Sequence, residues 1–372
     1  MSSSPSIARK VATGLATGNV AVPELAAQAV MQAMQAAETN VASSVLLFLT
    51  SEFARDPVPA LRAAAKAASC IQVMGCSAPG ILTEEDWILD APAAAAMVFS
   101  DGINLQTSPA TQDTSQLLLT LAAPNAINTT WMTSSGLRYG GVSGDAMGQG
   151  PFSVWQNGKG AVTGHCEAII KGVDAAIAPA HGLRMLGEPR LVTAAYGHDL
   201  RILAGKAALV TLRQSCATIK GIQDDNLPLH SLMAVFADNE QLIDEGKYQL
   251  AALVSGNESD HSVTLAKKVE RGQYLCWAIR DAESAQFNLK QTANQLATQL
   301  PAQPEFGLIF SCLGRGPYFY GGVDRDLALL RQLFPGMPFI GFYGNGEIAP
   351  VNGANELLQY SAVLGLFSEQ AK

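Results

Sequence analysis

The sequence predicts a mixed α/β protein of two similar halves, each with sheets packed against helices. Three observations carry that expectation. The stretch from Gly307 to Pro350 reads as strand, crossover helix and strand, with a Gly-rich loop after each strand. An earlier stretch, Val45 to Gly80, repeats the same order. A composition of 48% hydrophobic and 15% charged residues over 372 positions describes a compact chain with enough length for two domains.

From the N-terminus, residues 1–17 are polar and read as a flexible tail. Residues 18–219 form the first expected domain, 220–228 a polar linker and 229–368 the second. Pro23 opens a helix in which Gln28, Gln32 and Gln35 mark a wet face against Leu25, Val30, Met31 and Met34. Val45–Leu49 reads as a strand, Pro59–Ala68 as a helix, Ile71–Met74 and Ala93–Phe99 as strands, and Thr114–Ala122 as a helix. The segment from Trp131 to Gly150 is too glycine-dense for a helix. Phe152–Trp155, Gly160–Ile170, Arg190–Ala194 and Ala207–Leu212 read as strands of a more antiparallel sheet, with turns at Asn157-Gly158 and Gly197-His198. Ser231–Phe236, Tyr248–Val254 and Gln273–Ile279 follow as strands, and Glu283–Leu300 as a helix.

Leu308–Cys312 then has the length of a buried strand and stops at Gly314-Arg315-Gly316-Pro317. Asp324 caps a helix whose Leu327, Leu330 and Leu333 recur on one face, and Pro335-Gly336 ends it. The apolar run Met337–Tyr343 leads into Gly344-Asn345-Gly346-Glu347. Parallel neighbours with a right-handed crossover place both loops at one carboxyl edge, where open sheets bind ligands, so Arg315 and Glu347 share a rim. In the first half, Gly75 and Gly80 correspond to Gly341 and Gly346, which suggests a duplication, and Cys76 takes the loop position of Cys312.

A formal charge of -8 opposes affinity for nucleic acid or anionic lipid. The longest apolar stretches fall short of the ~20 residues that span a bilayer, and the N-terminus lacks a signal-peptide core, so a cytoplasmic location is expected. The six cysteines show no zinc spacing, and neither a metal nor a cofactor is expected. Gly344-Asn345-Gly346-Glu347-Ile348-Ala349 fits GxGxxA, but Pro350 and Gly353 follow where a dinucleotide fingerprint needs a helix.

Arg315 offers a planar fork that grips a carboxylate, and Glu347 receives an ammonium group. With backbone N–H groups at Gly344 and Gly346, and with Asn345 between them as a further candidate contact, they suit the two ends of a zwitterion; alternatively Arg315 and Glu347 pair with each other and hold the loops closed. Cys312 and Cys76 are either rim thiols or inert buried ones, and Ser77 lies beside Cys76. Asp145 either binds an amine or ends the turn it follows.

Phe310-Ser311-Cys312-Leu313-Gly314-Arg315-Gly316, Phe334-Pro335-Gly336-Met337-Pro338 and Gly341-Phe342-Tyr343-Gly344-Asn345-Gly346-Glu347-Ile348 resemble the C-terminal half of FIST domain proteins. Gly75-Cys76-Ser77, Tyr139-Gly140-Gly141-Val142-Ser143-Gly144-Asp145, His181-Gly182-Leu183, Gly187-Glu188-Pro189 and Val192-Thr193 resemble the N-terminal half. The resemblance spans roughly residues 40–365. It implies a two-part sensory domain for small molecules such as amino acids, usually attached to bacterial signalling outputs, and it adds His181 to the candidate ligand contacts. Ile81 stands where the family pattern has an acidic residue. No kinase, cyclase or chemoreceptor segment is present, so the signal is expected to pass to a separate protein. The leading reading is thus a sensor that does no chemistry. The alternative is a hydrolase or transferase using Cys312 or Cys76 with His181 or Glu347, against which stands the lack of a nucleophile, base and orienter set.

Overall fold

The computed structural model describes residues 9–107, 114–159, 162–217, 219 and 227–370. Two compact units result: the chain up to His181 together with the chain from Gln286 onward, and Gly182–Ala285.

The first unit begins with β1 (Val11–Thr17), α1 (Pro23–Ala36), β2 (Ser44–Thr50), α2 (Val58–Ala67) and β3 (Val73–Ala78). A hairpin, β4 (Gly80–Thr83) and β5 (Trp87–Leu89), leads to β6 (Ala93–Phe99). Next come β7 (Asn104–Thr107), β8 (Leu117–Ala122), the single-turn α3 (Thr129–Met132), β9 (Leu137–Val142), β10 (Val154–Trp155), β11 (Val162–Thr163), β12 (His165–Lys171) and β13 (Val173–His181). The second unit holds β14 (Leu183–Met185), β15 (Arg190–Tyr196), β16 (Asp199–Leu203), β17 (Lys206–Ala207), α4 (Ala208–Cys216), β18 (Leu232–Ala237), α5 (Glu240–Asp244), β19 (Gln249–Gly256), β20 (Val263–Leu265) and β21 (Tyr274–Arg280). The chain returns through α6 (Ala282–Gln299) to β22 (Phe306–Cys312), α7 (Arg325–Leu333), β23 (Phe339–Gly344), the hairpin β24 (Glu347–Val351) and β25 (Ala354–Leu358), and β26 (Ser361–Glu369).

Three six-stranded sheets build the first unit, in the orders β1-β6-β2-β3-β10-β11, β13-β26-β22-β23-β4-β5 and β25-β24-β9-β8-β12-β7. Period-two alternation assigns each strand two apolar faces. In β2, Val45, Leu47 and Leu49 pack on α1 and α2, while Leu46 and Phe48 enter the central core. In β22, Ile309 packs with α6 and α7, while Leu308 and Phe310 enter the same core. Phe48, Phe310 and Phe342 meet there edge-on, with centroids 5.0–6.3 Å apart.

The order strand, helix, strand, hairpin, strand occurs twice, and the registers coincide. Leu47 opposes Gly75 in β2 and β3 as Ile309 opposes Gly341 in β22 and β23, both parallel. A Cβ on Gly75 would lie 1.7 Å from the Leu47 carbonyl oxygen, and one on Gly341 1.7 Å from that of Ile309. The antiparallel partners match as well: β6 lies between β1 and β2, and β26 between β13 and β22. This register maps Thr50 onto Cys312, Phe53 onto Arg315, Ile81 onto Glu347, Ala93 onto Ser361 and Thr17 onto His181. The hairpin of the first repeat crosses over, so that β4 pairs with β23.

In the second unit, β21, β15, β16, β20, β19 and β18 pair in that cycle, all antiparallel, and close on themselves as a six-stranded barrel. Val192, Leu203, Phe236, Leu253 and Trp277 fill it together with Leu209 and Leu212 of α4.

Four expectations are corrected. Val11–Thr17, assigned to a flexible tail, is a mostly buried strand aligned on β6; residues 1–8, like 220–226 of the expected linker, lie outside the described residues. Leu117–Ala122 is a strand, not a helix: a run of six residues is too short for a helical face, and β9 and β12 flank it. Ala208–Cys216 is a helix, because Leu209, Leu212 and Cys216 bury at helical spacing. Cys76 is not the counterpart of Cys312; it opposes Phe48 within β3, as Phe342 opposes Phe310.

Candidate functional site

The carboxyl ends of β22 and β23 define one edge of their sheet, with Cys312 opposite Gly344. Antiparallel β26 begins at this edge and β13 ends there, with Ser361 opposite His181. Beyond Cys312 a 3₁₀ turn, Leu313–Arg315, aims Arg315 back under the edge. The expected rim is therefore interior: Arg315 is 1% exposed and Glu347 0%.

The Arg315 fork closes on a partner that sequence reading did not select. Nε donates to Asp326 Oδ2 at 2.8 Å and Nη2 to Oδ1 at 3.3 Å, while Nη1 donates to the Ala180 carbonyl at 2.7 Å. Tyr320 donates its hydroxyl to the same Asp326 at 2.7 Å. Asp324 caps α7 by accepting from Leu327 N at 2.8 Å and also accepts from the Tyr343 hydroxyl. Burial opposes the Arg315 charge, but Asp326, Tyr320 and Glu347 more than restore it and hold its pKa above the ordinary value.

Glu347 opens β24. Its Oε2 accepts both the Ser361 hydroxyl (2.6 Å) and the Ser361 backbone N–H (3.3 Å). In the first repeat the equivalent N–H, of Ala93, goes to Thr50 Oγ1 at 2.9 Å. Cys312 stands in place of that threonine, and Glu347 takes over the donor. The second oxygen, Oε1, is buried and accepts no hydrogen bond among the described residues. An unsatisfied buried acceptor costs about 1–3 kcal/mol, so this atom stands out in a packed core. Burial pushes the Glu347 carboxyl well above the usual carboxylate range, against the pull of Ser361 and Arg315. His181, buried beside Arg315, is lowered to about 4 by desolvation and by that cation, so at neutral pH its imidazole is uncharged.

The Gly-rich segment of β9 lies against the Glu347 turn. Val142 exchanges hydrogen bonds with it, accepting from Asn345 N at 3.0 Å and donating to the Gly346 carbonyl at 2.9 Å. A Cβ on Gly344 would sit 2.2 Å from the Val142 carbonyl oxygen, and Gly346 holds φ at +153°. The Asn345 side chain abuts Gly144. Asp145 ends its turn, with Oδ1 and Oδ2 accepting from Gln149 N and Gly150 N at 3.1 and 2.9 Å. Ser77 is buried and bonded to Ser153 and Ser143. Cys76 lies in the core, and burial followed by Cys166 raises its thiol well above the ordinary value, away from a thiolate. Thus His181, Arg315, Glu347, Gly344, Asn345, Gly346 and Cys312 gather at one edge, while Cys76, Ser77 and Asp145 serve packing and turns nearby.

Sequence reasoning missed Asp326 and Ser361 and gave Asp324 only the role of a helix cap. Asp324-Arg325-Asp326, one loop beyond Arg315, was the available signal for a buried partner; nothing in the sequence marks Ser361. Among the described residues no cluster of His, Cys, Asp and Glu is arranged to hold a metal ion, and no helix is long and apolar enough to cross a membrane. A cavity of about 390 Å³, lined by Lys10, Glu305, Pro338 and Glu369, lies at the opposite, amino edge of the same strands.

Fold and site together define a duplicated α/β protein in which one repeat carries a polar edge and the other an apolar one. The chain belongs to the FIST family: the FIST N domain matches residues 43–206 and the FIST C domain residues 208–350. FIST domains are associated with sensory signal transduction. The junction of the two matches falls inside the barrel. The chain is 28% identical over 232 residues to an uncharacterized protein of Mycobacterium tuberculosis (strain ATCC 25618 / H37Rv), covering 61% of this chain and 60% of that protein. It is equally identical to an uncharacterized protein of Mycobacterium bovis, covering 61% and 59%. F-box only protein 22 of Homo sapiens is 39% identical over 72 residues, 18% of this chain and 16% of that protein. The match thus spans about 60% of the mycobacterial relatives' length.

Proposed function

We propose that this chain is an intracellular sensory protein that binds an amino acid or similar small zwitterion at the polar edge of its second repeat and passes the signal to a separate protein. The observation that carries this reading is the comparison of the two repeats. Thr17, Phe53, Ile81 and Ala93 occupy one edge, and His181, Arg315, Glu347 and Ser361 the other. The first set demonstrates that this backbone accepts a mostly apolar edge. Buried ionic groups are commonly matched or exceeded in stability by well-packed apolar ones, so folding alone does not account for the second set. Groups that break the apolar rule on one of two equivalent edges mark that edge for recognition.

Titration calorimetry of the purified chain against the twenty amino acids tests the reading. Saturable heat from at least one of them supports it. No heat from any, at millimolar ligand, overturns it.

A further inference from the structure

Beyond that reading, Glu347 Oε1 combines full burial, a defined geometry and an unmet bonding capacity. Resting on the sensory reading, we infer that the ligand is recognised at its amino end by Glu347 Oε1, and that Arg315 is a positioning residue which does not grip the ligand carboxylate.

The donors of Arg315 are already committed. The fork that would hold a carboxylate bidentately, Nε and Nη2 of Arg315, faces the two oxygens of Asp326, and Nη1 faces the Ala180 carbonyl. Asp326 is itself fixed from a second side by Tyr320. A ligand carboxylate would have to displace a buried aspartate from its ion pair. On the acceptor side the position is reversed. Ser361 saturates Oε2 and thereby fixes the rotation of the carboxyl group, leaving the buried Oε1 without a hydrogen-bond partner among the described residues. An N–H donor of the ligand is the chemistry that completes it.

The groups around Glu347 set the proton balance. Arg315 and Asp326 neutralise one another, the His181 ring is uncharged at neutral pH, and the Glu347 carboxyl retains its proton above the usual range because it is buried. An arriving ammonium group favours the ionised carboxylate, so binding shifts Glu347 toward losing a proton, and any O–H bond lost from the carboxyl is balanced by a proton taken up by buffer. No electrons move. A ligand bound through its carboxylate would release no such proton.

The experiment compares three compound sets by calorimetry: the twenty amino acids, the amines obtained by removing their carboxyl groups, and the acids obtained by removing their amino groups. Titrations are run near pH 7 in two buffers of different ionisation enthalpy. The inference expects an amine to bind within about tenfold of its parent amino acid, the matching acid not to bind, and the heat to differ between buffers in the sense of proton release. Glu347→Gln should weaken amine binding at least tenfold and abolish the buffer dependence. Because removing the carboxylate alters a buried position, Glu347→Ile is the second variant; the first repeat folds with Ile81 at the equivalent place, and the thermal midpoint verifies that the chain is intact. Binding confined to intact amino acids, or shared by them with the acids but not the amines, or unchanged amine binding by both variants, overturns the inference and leaves the sensory reading standing, whereas binding confined to the acids overturns both. Silence from all three sets overturns both.

Discussion

Replacing Arg315 with methionine isolates the contact on which the polar edge is built. The side chains of Arg315 and Asp326 are 1% and 4% exposed, and their Nε to Oδ2 distance is 2.8 Å. Arg315→Met keeps the apolar volume but strands a buried carboxylate with the Tyr320 hydroxyl as its remaining donor of the two described here. Breaking such a pair from one side costs about 3–5 kcal/mol. Replacing both members, with Arg315→Met and Asp326→Leu, removes the stranded charge and leaves the Tyr320 hydroxyl short of a partner, about 1–3 kcal/mol, while the Ala180 carbonyl loses its donor equally in both variants. The double variant should therefore be more stable than Arg315→Met alone by roughly 1.5 kcal/mol or more. Urea unfolding followed by tryptophan fluorescence reads the difference, since Trp87, Trp131 and Trp155 lie in the unit that holds the pair. A loss below about 1 kcal/mol for Arg315→Met, or a double variant no more stable than the single one, refutes the account of a sealed ion pair.

Three further outcomes follow from the same geometry. Gly75→Ala and Gly341→Ala should each destabilise by about 3 kcal/mol or more, because each Cβ would overlap a strand carbonyl; thermal midpoints within 2 °C of wild type for either would contradict the paired registers. His181 has its pKa lowered in the folded chain, so the unfolded chain takes up more protons below 6.5, and the stability tied to a neutral His181 is lost as pH falls from 6.5 toward 4. That loss is at most about 3 kcal/mol, and Glu347, shifted the other way, offsets it above 4.5. The difference in urea midpoint between His181→Gln and wild type should consequently change across this range, and identical pH profiles would count against burial of the ring. Of the six cysteines only Cys70 is not buried, so iodoacetamide at neutral pH should label one thiol quickly in the native chain and six after denaturation; rapid native labelling of Cys76 or Cys312 would revive the thiol chemistry set aside here.

Much of this architecture was legible because its signals are local. The Asp324 cap and the Gly197-His198 hairpin rest on contacts a few residues apart, where turn chemistry operates, and the parallel pair β22 and β23 follows from the right-handed crossover through the one helix between them. The correspondence of Gly75 with Gly341 was visible since only glycine fits so close to a neighbouring carbonyl. Short apolar runs were misassigned for the opposite reason: LLLTLA and ALVTL each satisfy a buried strand or a buried helix, and distant partners decide. The barrel lies between β13 and α6, while β13 pairs with β26, far along the chain; no local pattern announces such a pairing. At the site, sequence placed Arg315 and Glu347 at one edge, but burial depends on what covers that edge. Asp326 enters through the first turn of α7, and Ser361 through a register that only the folded sheet defines.

The most direct test of the central claim is a crystal structure of the chain grown with an amino acid that gives saturable heat. The account predicts ligand density at the polar edge of the second repeat, with a nitrogen within about 3 Å of Glu347 Oε1 and the Arg315 to Asp326 pair intact. Density in the cavity beside Lys10 and Glu305 instead, with the Glu347 edge unchanged, would contradict it.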